Sequence, residues 1–201
     1  MVVASKNLER SGLMSGSDQA YVVGQIQPAL EEITISEFFA RTVSRYPDRE
    51  ACIFCQSGER WTWSQLSQNV DQLAAGLLAL GVYKGDRVGI WSPNKPEWVL
   101  AQFATARIGA ILVNINPAYR RAELKYALVK VGVKVLITAG SFKTSNYLEM
   151  LTDLIPELAT CRPERLSSPE FPLLRSIIQI GVASHSGMFC FQVIIEKGTT
   201  A

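Results

Sequence analysis

The sequence predicts an α/β fold: an incomplete doubly wound, mainly parallel sheet with helices on both faces, preceded by a helix and a β-hairpin. Three observations predict it. From Gly81 to Ile137 the chain alternates strand-like and helix-like segments at βαβ spacing, which favours parallel strands joined by helical crossovers. The segment Trp98 to Ile108 is apolar nearly all round, whereas Tyr147, Leu151, Leu154 and Ile155 mark a single apolar face, so one helix expects cover on several sides and another on one. Ahead of the alternation stand a capped amphipathic segment and two short β-rich runs separated by Ser57-Gly58.

The elements follow in order. Thr34 to Tyr46 reads as a helix, with Thr34 and Glu37 as a capping box, Phe39, Val43 and Tyr46 on one face, and Pro47 ending it. Glu50 to Gln56 and Arg60 to Trp63 are the strands of the hairpin. A longer helix spans Ser64 to Leu80, with Thr62 and Gln65 as a second capping box and a core stripe at Leu66, Val70, Leu73, Leu77 and Leu80; Gly81 supplies its C-cap. Then come strand Asp86 to Trp91, helix Lys95 to Ile108, strand Ile111 to Ile115, helix Ala122 to Val131, strand Lys134 to Thr138 and helix Lys143 to Ile155. Arg162 to Pro172, rich in Pro and Ser, reads as a linker, Leu173 to Ile180 as one more strand, and beyond Gly181 the pattern dissolves.

Composition narrows the function classes. With 48% hydrophobic and 19% charged residues and a net charge of +2, the chain has the makings of a globular core and no field that would select nucleic acid. No apolar run approaches the roughly 18 residues of a membrane span. Met1 to Ala20 mixes Lys6 and Arg10 with Glu9 and Asp18, which reads neither as a secretory signal nor as a good mitochondrial presequence. Four cysteines fit a reducing compartment better than a disulfide scaffold. Cys52 and Cys55 form a C-x-x-C, but on a strand they point to opposite faces and no second pair completes a zinc site, so both are read as ordinary buried or half-buried cysteines.

The sequence holds neither a dinucleotide-binding glycine fingerprint nor a Walker loop nor a G-x-S-x-G elbow. His185, the one histidine, falls in the patternless tail and is expected in solvent. Glu31, Glu32, Asp48 and Glu50 flank helix ends and turns, where carboxylates serve dipole and solvation roles. No catalytic residue, cofactor-binding residue or metal ligand is nominated.

Several spaced motifs do stand out: WTWSQL (Trp61 to Leu66), GVYKGDRVGIWSPN (Gly81 to Asn94), ARIGAILVNINP (Ala106 to Pro117) and NPAYRRAELKYAL (Asn116 to Leu128). Their order and wording, over about residues 34 to 180, resemble the amino-terminal portion of acyl-CoA synthetases of the adenylate-forming, AMP-binding superfamily, notably medium-chain acyl-CoA ligases of the acyl-CoA synthetase family member 2 type. Read physically, the motif residues are structural: Gly81, Gly85 and Gly109 fit positive φ or tight element ends, Pro93 and Pro117 fit strand exits, and Asp86 and Arg87 pair or cap beside the turn.

The resemblance implies fatty acid activation, in which fatty acid, ATP and CoA give acyl-CoA, AMP and pyrophosphate, with ATP, Mg2+ and CoA used by the complete family enzyme. It also implies parts that these residues do not match: a Ser/Thr/Gly-rich phosphate loop, an acid on the magnesium side and a lysine in a mobile carboxy-terminal domain. Glu196-Lys197-Gly198-Thr199-Thr200 lacks the surroundings of that loop. The expected organisation is therefore an extended lead-in (1–33), the amino-terminal part of an AMP-dependent synthetase/ligase domain (34–180) and an unrelated short tail (181–201), as in a truncated isoform. Such a chain is expected to need no cofactor and to be inactive alone. Alternatives from other classes are a noncatalytic module that self-associates or pairs with a full-length synthetase, and an independent nucleotide-binding α/β domain. The compartment is expected to be intracellular, cytosolic from the poor presequence or mitochondrial from the resemblance to enzymes of lipid metabolism.

Overall fold

The computed structural model describes residues 24, 27–181 and 185–199. Two units divide the chain, Met1–Glu32 and Ile33–Ala201, and every helix and strand described lies in the second. Most of the expected lead-in, 1–33, lies outside the described residues, as does the segment read for a presequence.

Helix α1 (Ile35–Arg45) starts where the capping box predicts: Thr34 Oγ1 accepts from the Glu37 N–H at 3.1 Å, and Glu37 accepts from the Thr34 N–H at 2.7 Å. The hairpin pairs β1 (Glu50–Phe54) with β2 (Glu59–Thr62) in a sheet of its own, with a bulge between Glu50 and Cys52. Cys52 is half-buried, but Cys55 sits exposed in the turn, because the strand stops at Phe54. Helix α2 (Trp63–Ala79) carries the second capping box and buries Leu66, Val70, Leu73 and Leu77. It ends at Gly81, whose φ of 77° lets its N–H reach Leu78 O while the Val82 N–H reaches Leu77 O.

The strands β3 (Arg87–Trp91), β4 (Ile111–Ile115) and β5 (Val135–Thr138) are parallel neighbours, joined through α3 (Pro96–Ile108) and α4 (Arg121–Val131). A two-residue pair, β6 (Ser141–Phe142) with β7 (Ser145–Asn146), leads into α5 (Tyr147–Leu154). Strands β8 (Ser176–Gln179) and β9 (Phe189–Cys190) extend the sheet, and α6 (Phe191–Thr199) follows. The sheet order is β4-β3-β5-β8-β9 with every pairing parallel. Alternation along the strands divides the core. Val88, Ile90, Val135, Ile137 and Ile178 meet α1, α2, α3 and α6 on one face, and Trp91, Leu136 and Ile177 meet α4 and α5 on the other.

Four further readings of the sequence need correction. The helix expected from Lys143 begins only at Tyr147, because Asn146 caps it there, accepting from the Glu149 N–H at 3.3 Å, while the polar run before it forms β6 and β7 around Lys143 at φ 51°. The expected linker is packed: Leu166, Ser168 and Phe171 are buried against the α4 and α5 side. The segment read as patternless holds β9 and α6. A Cβ at Gly76 would collide with the Ile194 carbonyl, and one at Gly198 with the Gln72 carbonyl, so two glycines let α6 press its backbone onto α2. His185 is half-buried, with a buried Nδ1 and its backbone N–H donating to Gln179 Oε1 at 3.1 Å. Neither contact leaves a trace in local periodicity.

The all-round apolarity of α3 finds much of its cover within the chain. Phe103 stacks on Phe39 of α1 with ring centroids 4.5 Å apart, and Arg107 reaches Asp71 of α2 at 2.8 Å. Leu100, Ala101 and Ala104 are buried, and Trp98, Phe103 and Ile108 are half-buried.

Candidate functional site

In open parallel sheets a ligand sits beyond the carboxyl ends of the strands, where the order reverses direction. Here the chain leaves β3 to one side for β4 and returns past it for β5, which puts the reversal between the ends of β3 and β5. Trp91 and Tyr147 fill that position, stacked with centroids 3.5 Å apart and 8° between planes. Trp91 Nε1–H donates to Asn116 O at 3.2 Å and the Tyr147 hydroxyl to Pro117 O, so both rings pin the loop after β4 over the sheet. Burial pushes the Tyr147 phenol up to about 12. The other buried polar groups here are neutral: Ser92 Oγ donates to Pro93 O at 2.8 Å, Thr138 Oγ1 to Ala139 O at 3.0 Å, and Gln179 holds the backbone of His185. None of these groups can take or give a proton near neutral pH.

Beside this rim, at the exit of β3, a groove of about 530 Å³ opens between the hairpin turn and the start of α3. Phe54, Cys55, Gln56, Asn94, Lys95 and Trp98 are among its walls, and its size falls in the ordinary range for a small-molecule site. Pro96 opens α3, the Trp98 N–H donates to Lys95 O at 3.0 Å, and the N-cap residue Lys95 makes no capping bond through its side chain, so the Lys95 ammonium is the cation of the groove, set at the positive end of the helix dipole. Glu59 and Glu97 also line it, and Glu59 accepts from Trp61 Nε1–H at 2.7 Å. The arrangement can hold a polar group; it contains no nucleophile–base pair. Sequence reading nominated none of these residues. Pro96 at the first helical position is the one local signal, since the hairpin turn meets α3 only in the folded chain.

The motif charges lie at the opposite rim. Asp86 pairs with Lys134 at 2.7 Å and accepts from the Tyr83 N–H at 2.8 Å, and Lys134 also donates to Gly81 O at 2.7 Å. Arg87 does not pair with Asp86 through a bond of its own but donates to Val131 O at 3.1 Å and Gly85 O at 3.3 Å. Burial pushes the Asp86 carboxyl up, but the Lys134 and Tyr83 hydrogen bonds and the charges of Lys134 and Arg87 outweigh it, leaving the group below its ordinary value. Among the described residues no group of three or more His, Cys, Asp or Glu side chains could hold a metal ion.

Residues 39–175 match the AMP-binding enzyme family. A mitochondrial medium-chain acyl-CoA ligase of Danio rerio is 41% identical over 181 residues, covering 90% of this chain and 30% of that protein. The corresponding Homo sapiens ligase is 37% identical over 198 residues, 98% of this chain and 32% of its own length. The chain thus spans about a third of the relatives it matches. Among solved structures, an anthranilate CoA ligase in complex with anthranoyl-AMP superposes with a TM-score of 0.68 at 23% identity over 82% of this chain and 28% of that one, a likeness of fold. The five-stranded sheet and the span of the family match agree, and the chain belongs to the AMP-binding enzyme family.

Proposed function

We propose that this chain is the amino-terminal portion of a medium-chain acyl-CoA ligase, of the lineage that activates a fatty acid with ATP and CoA, and that by itself it is a folding and binding unit without ligase activity. The observation that carries the lineage is 41% identity over 90% of the chain to one such ligase. The inactivity rests on chemistry. Attack of a carboxylate on the α-phosphate of ATP builds charge on pyrophosphate, which needs a metal and fixed donors. The buried polar side chains at the carboxyl rim are neutral, and Arg87 of the K-G-D-R motif and the nearby Lys134 are engaged at the other end of the sheet. By the same likeness, a mitochondrial location is proposed for this chain.

ATP–pyrophosphate exchange with medium-chain fatty acids tests the reading: the isolated chain should not exceed a no-protein control, while an intact relative should. Exchange by the chain alone would overturn it. A second reading, an independent nucleotide-binding domain, draws on the sheet order, which has the pattern 2-1-3-4-5 when its strands are numbered along the chain. Saturable ATP binding, lost on Lys95→Ala, would favour that second reading.

A further inference from the structure

A second groove, of about 500 Å³, runs between β4 and α4, with Val113, Ile115, Tyr119, Ala122, Tyr126 and Ala127 among its walls. Among the described residues β4 pairs only with β3, so its other edge presents unpaired backbone N–H and C=O groups. Ile111, at the start of that edge, is 52% exposed and Tyr126 is 66% exposed. Glu123, Tyr126, Ala127 and Lys130 stand at i, i+3, i+4 and i+7 and form one stripe facing the groove. The other charges of α4 are engaged elsewhere, Arg121 with Asp153 and Lys125 with Glu170. Glu123 and Lys130 enter no ion pair among the described residues, although Glu123 Oε2 accepts from the Arg120 N–H at 3.1 Å as the N-terminal cap of α4.

We propose that a second copy of this chain docks here, edge to edge through β4, about a twofold axis normal to the sheet. Such an axis makes the two β4 strands antiparallel and lays the two α4 helices antiparallel on the same face. A twofold contact is self-complementary, residue i meeting j and j meeting i. The stripe suits this symmetry: the acid and the base lie at its two ends, and Tyr126 and Ala127 lie at its midpoint. Glu123 of each copy then faces Lys130 of the other, and each Tyr126 enters the other copy's groove. A partner of unrelated sequence gains nothing from opposite charges spaced evenly about an aromatic centre. Association through β4 is independent of ligase activity, because the groove at β1 and α3 takes no part in it.

Sedimentation velocity on the full chain over a rising concentration series tests this. The expected result is a monomer–dimer equilibrium whose dissociation constant rises about tenfold or more in Tyr126→Glu. Glu123→Lys and Lys130→Glu should each weaken the dimer, and the double variant E123K/K130E should restore it, because the twofold then pairs the reversed charges. These side chains are exposed on a helix, Glu123→Lys also removes the cap on the Arg120 N–H, and an unchanged far-UV spectrum verifies that each variant folds. A chain that stays monomeric at about 100 μM would overturn the proposal. So would a dimer indifferent to all four variants, or a monomer that takes up only the remaining part of a longer relative.

Discussion

The two rims of the five-stranded sheet are built from opposite chemistry. At the amino rim the chain turns on Gly81, Gly85, Gly109 and Gly132, all at positive φ, and charged side chains stitch the turns together: Asp86 to Lys134, Lys134 to Gly81 O, Arg87 to Val131 O. At the carboxyl rim the Trp91–Tyr147 stack and neutral polar groups close the strands. Sequence motifs rich in charge and glycine draw the eye to the first rim, yet its charges answer backbone and one another. The second rim, where a ligand would sit, carries few residues that announce themselves. Motif density therefore reports where a fold needs unusual backbone as readily as where it does chemistry.

The contrast makes predictions, taken here from the largest expected effect down. Trp91→Ala should cost about 3–5 kcal/mol, since a fully buried indole and its stack are lost together. Denaturant titration measures it, and the loss should be nearly independent of salt; strong salt dependence would blur the distinction between the rims. Gly132→Ala should cost about 2 kcal/mol, because φ is 70° and the new Cβ lies 2.9 Å from Arg87 Nη2 and Leu173 Cδ1. Thermal melting checks it, and a neutral substitution would mean that the amino rim tolerates strain the geometry forbids.

Lys134→Met should cost roughly 1 kcal/mol, a modest value because the pair is partly open to solvent. Its signature lies in pH. With its folded-state value depressed, Asp86 contributes stability that is full above the ordinary carboxylate value of 3.8 and is lost as pH falls through the lower folded value. Removing Lys134 should shrink that acid-side loss, whereas Trp91→Ala should leave it intact. The smallest effect belongs to Tyr147→Phe, about 0.5–1 kcal/mol for the bond to Pro117 O. Tyr147 is raised from 10.0 to about 12, so the unfolded chain releases this proton first and stability should fall between those values; the Phe variant should lack that alkaline slope. Stability profiles at both extremes of pH would thus assign acid sensitivity to one rim and alkaline sensitivity to the other.

Local signals made much of the fold legible. Both capping boxes, at Thr34 and Thr62, start their helices where the side chains require, since each cap is a contact over three residues. The strands from Arg87 to Thr138 appear within a residue of their apolar runs, because β3 and β5 are buried on both faces and the edge strand β4 still carries four apolar residues of five. The candidate site was less legible. Its groove joins Phe54 to Trp98, and neither segment carries a pattern that points to the other.

By itself, then, the sequence determined the element types from Thr34 to Thr138, the parallel alternation and the family, all of which depend on residues close along the chain or on motifs in fixed order. Only the tertiary structure decided that Leu166 and Phe171 are core, that β9 extends the sheet and that α6 seats itself on α2 through Gly76 and Gly198. It also decided that Lys134 answers Asp86 across 48 positions of sequence. The physical reason is common to all of them: a short buried segment or a glycine at a helix crossing is stabilised by the surface it meets, and that surface comes from a distant part of the chain.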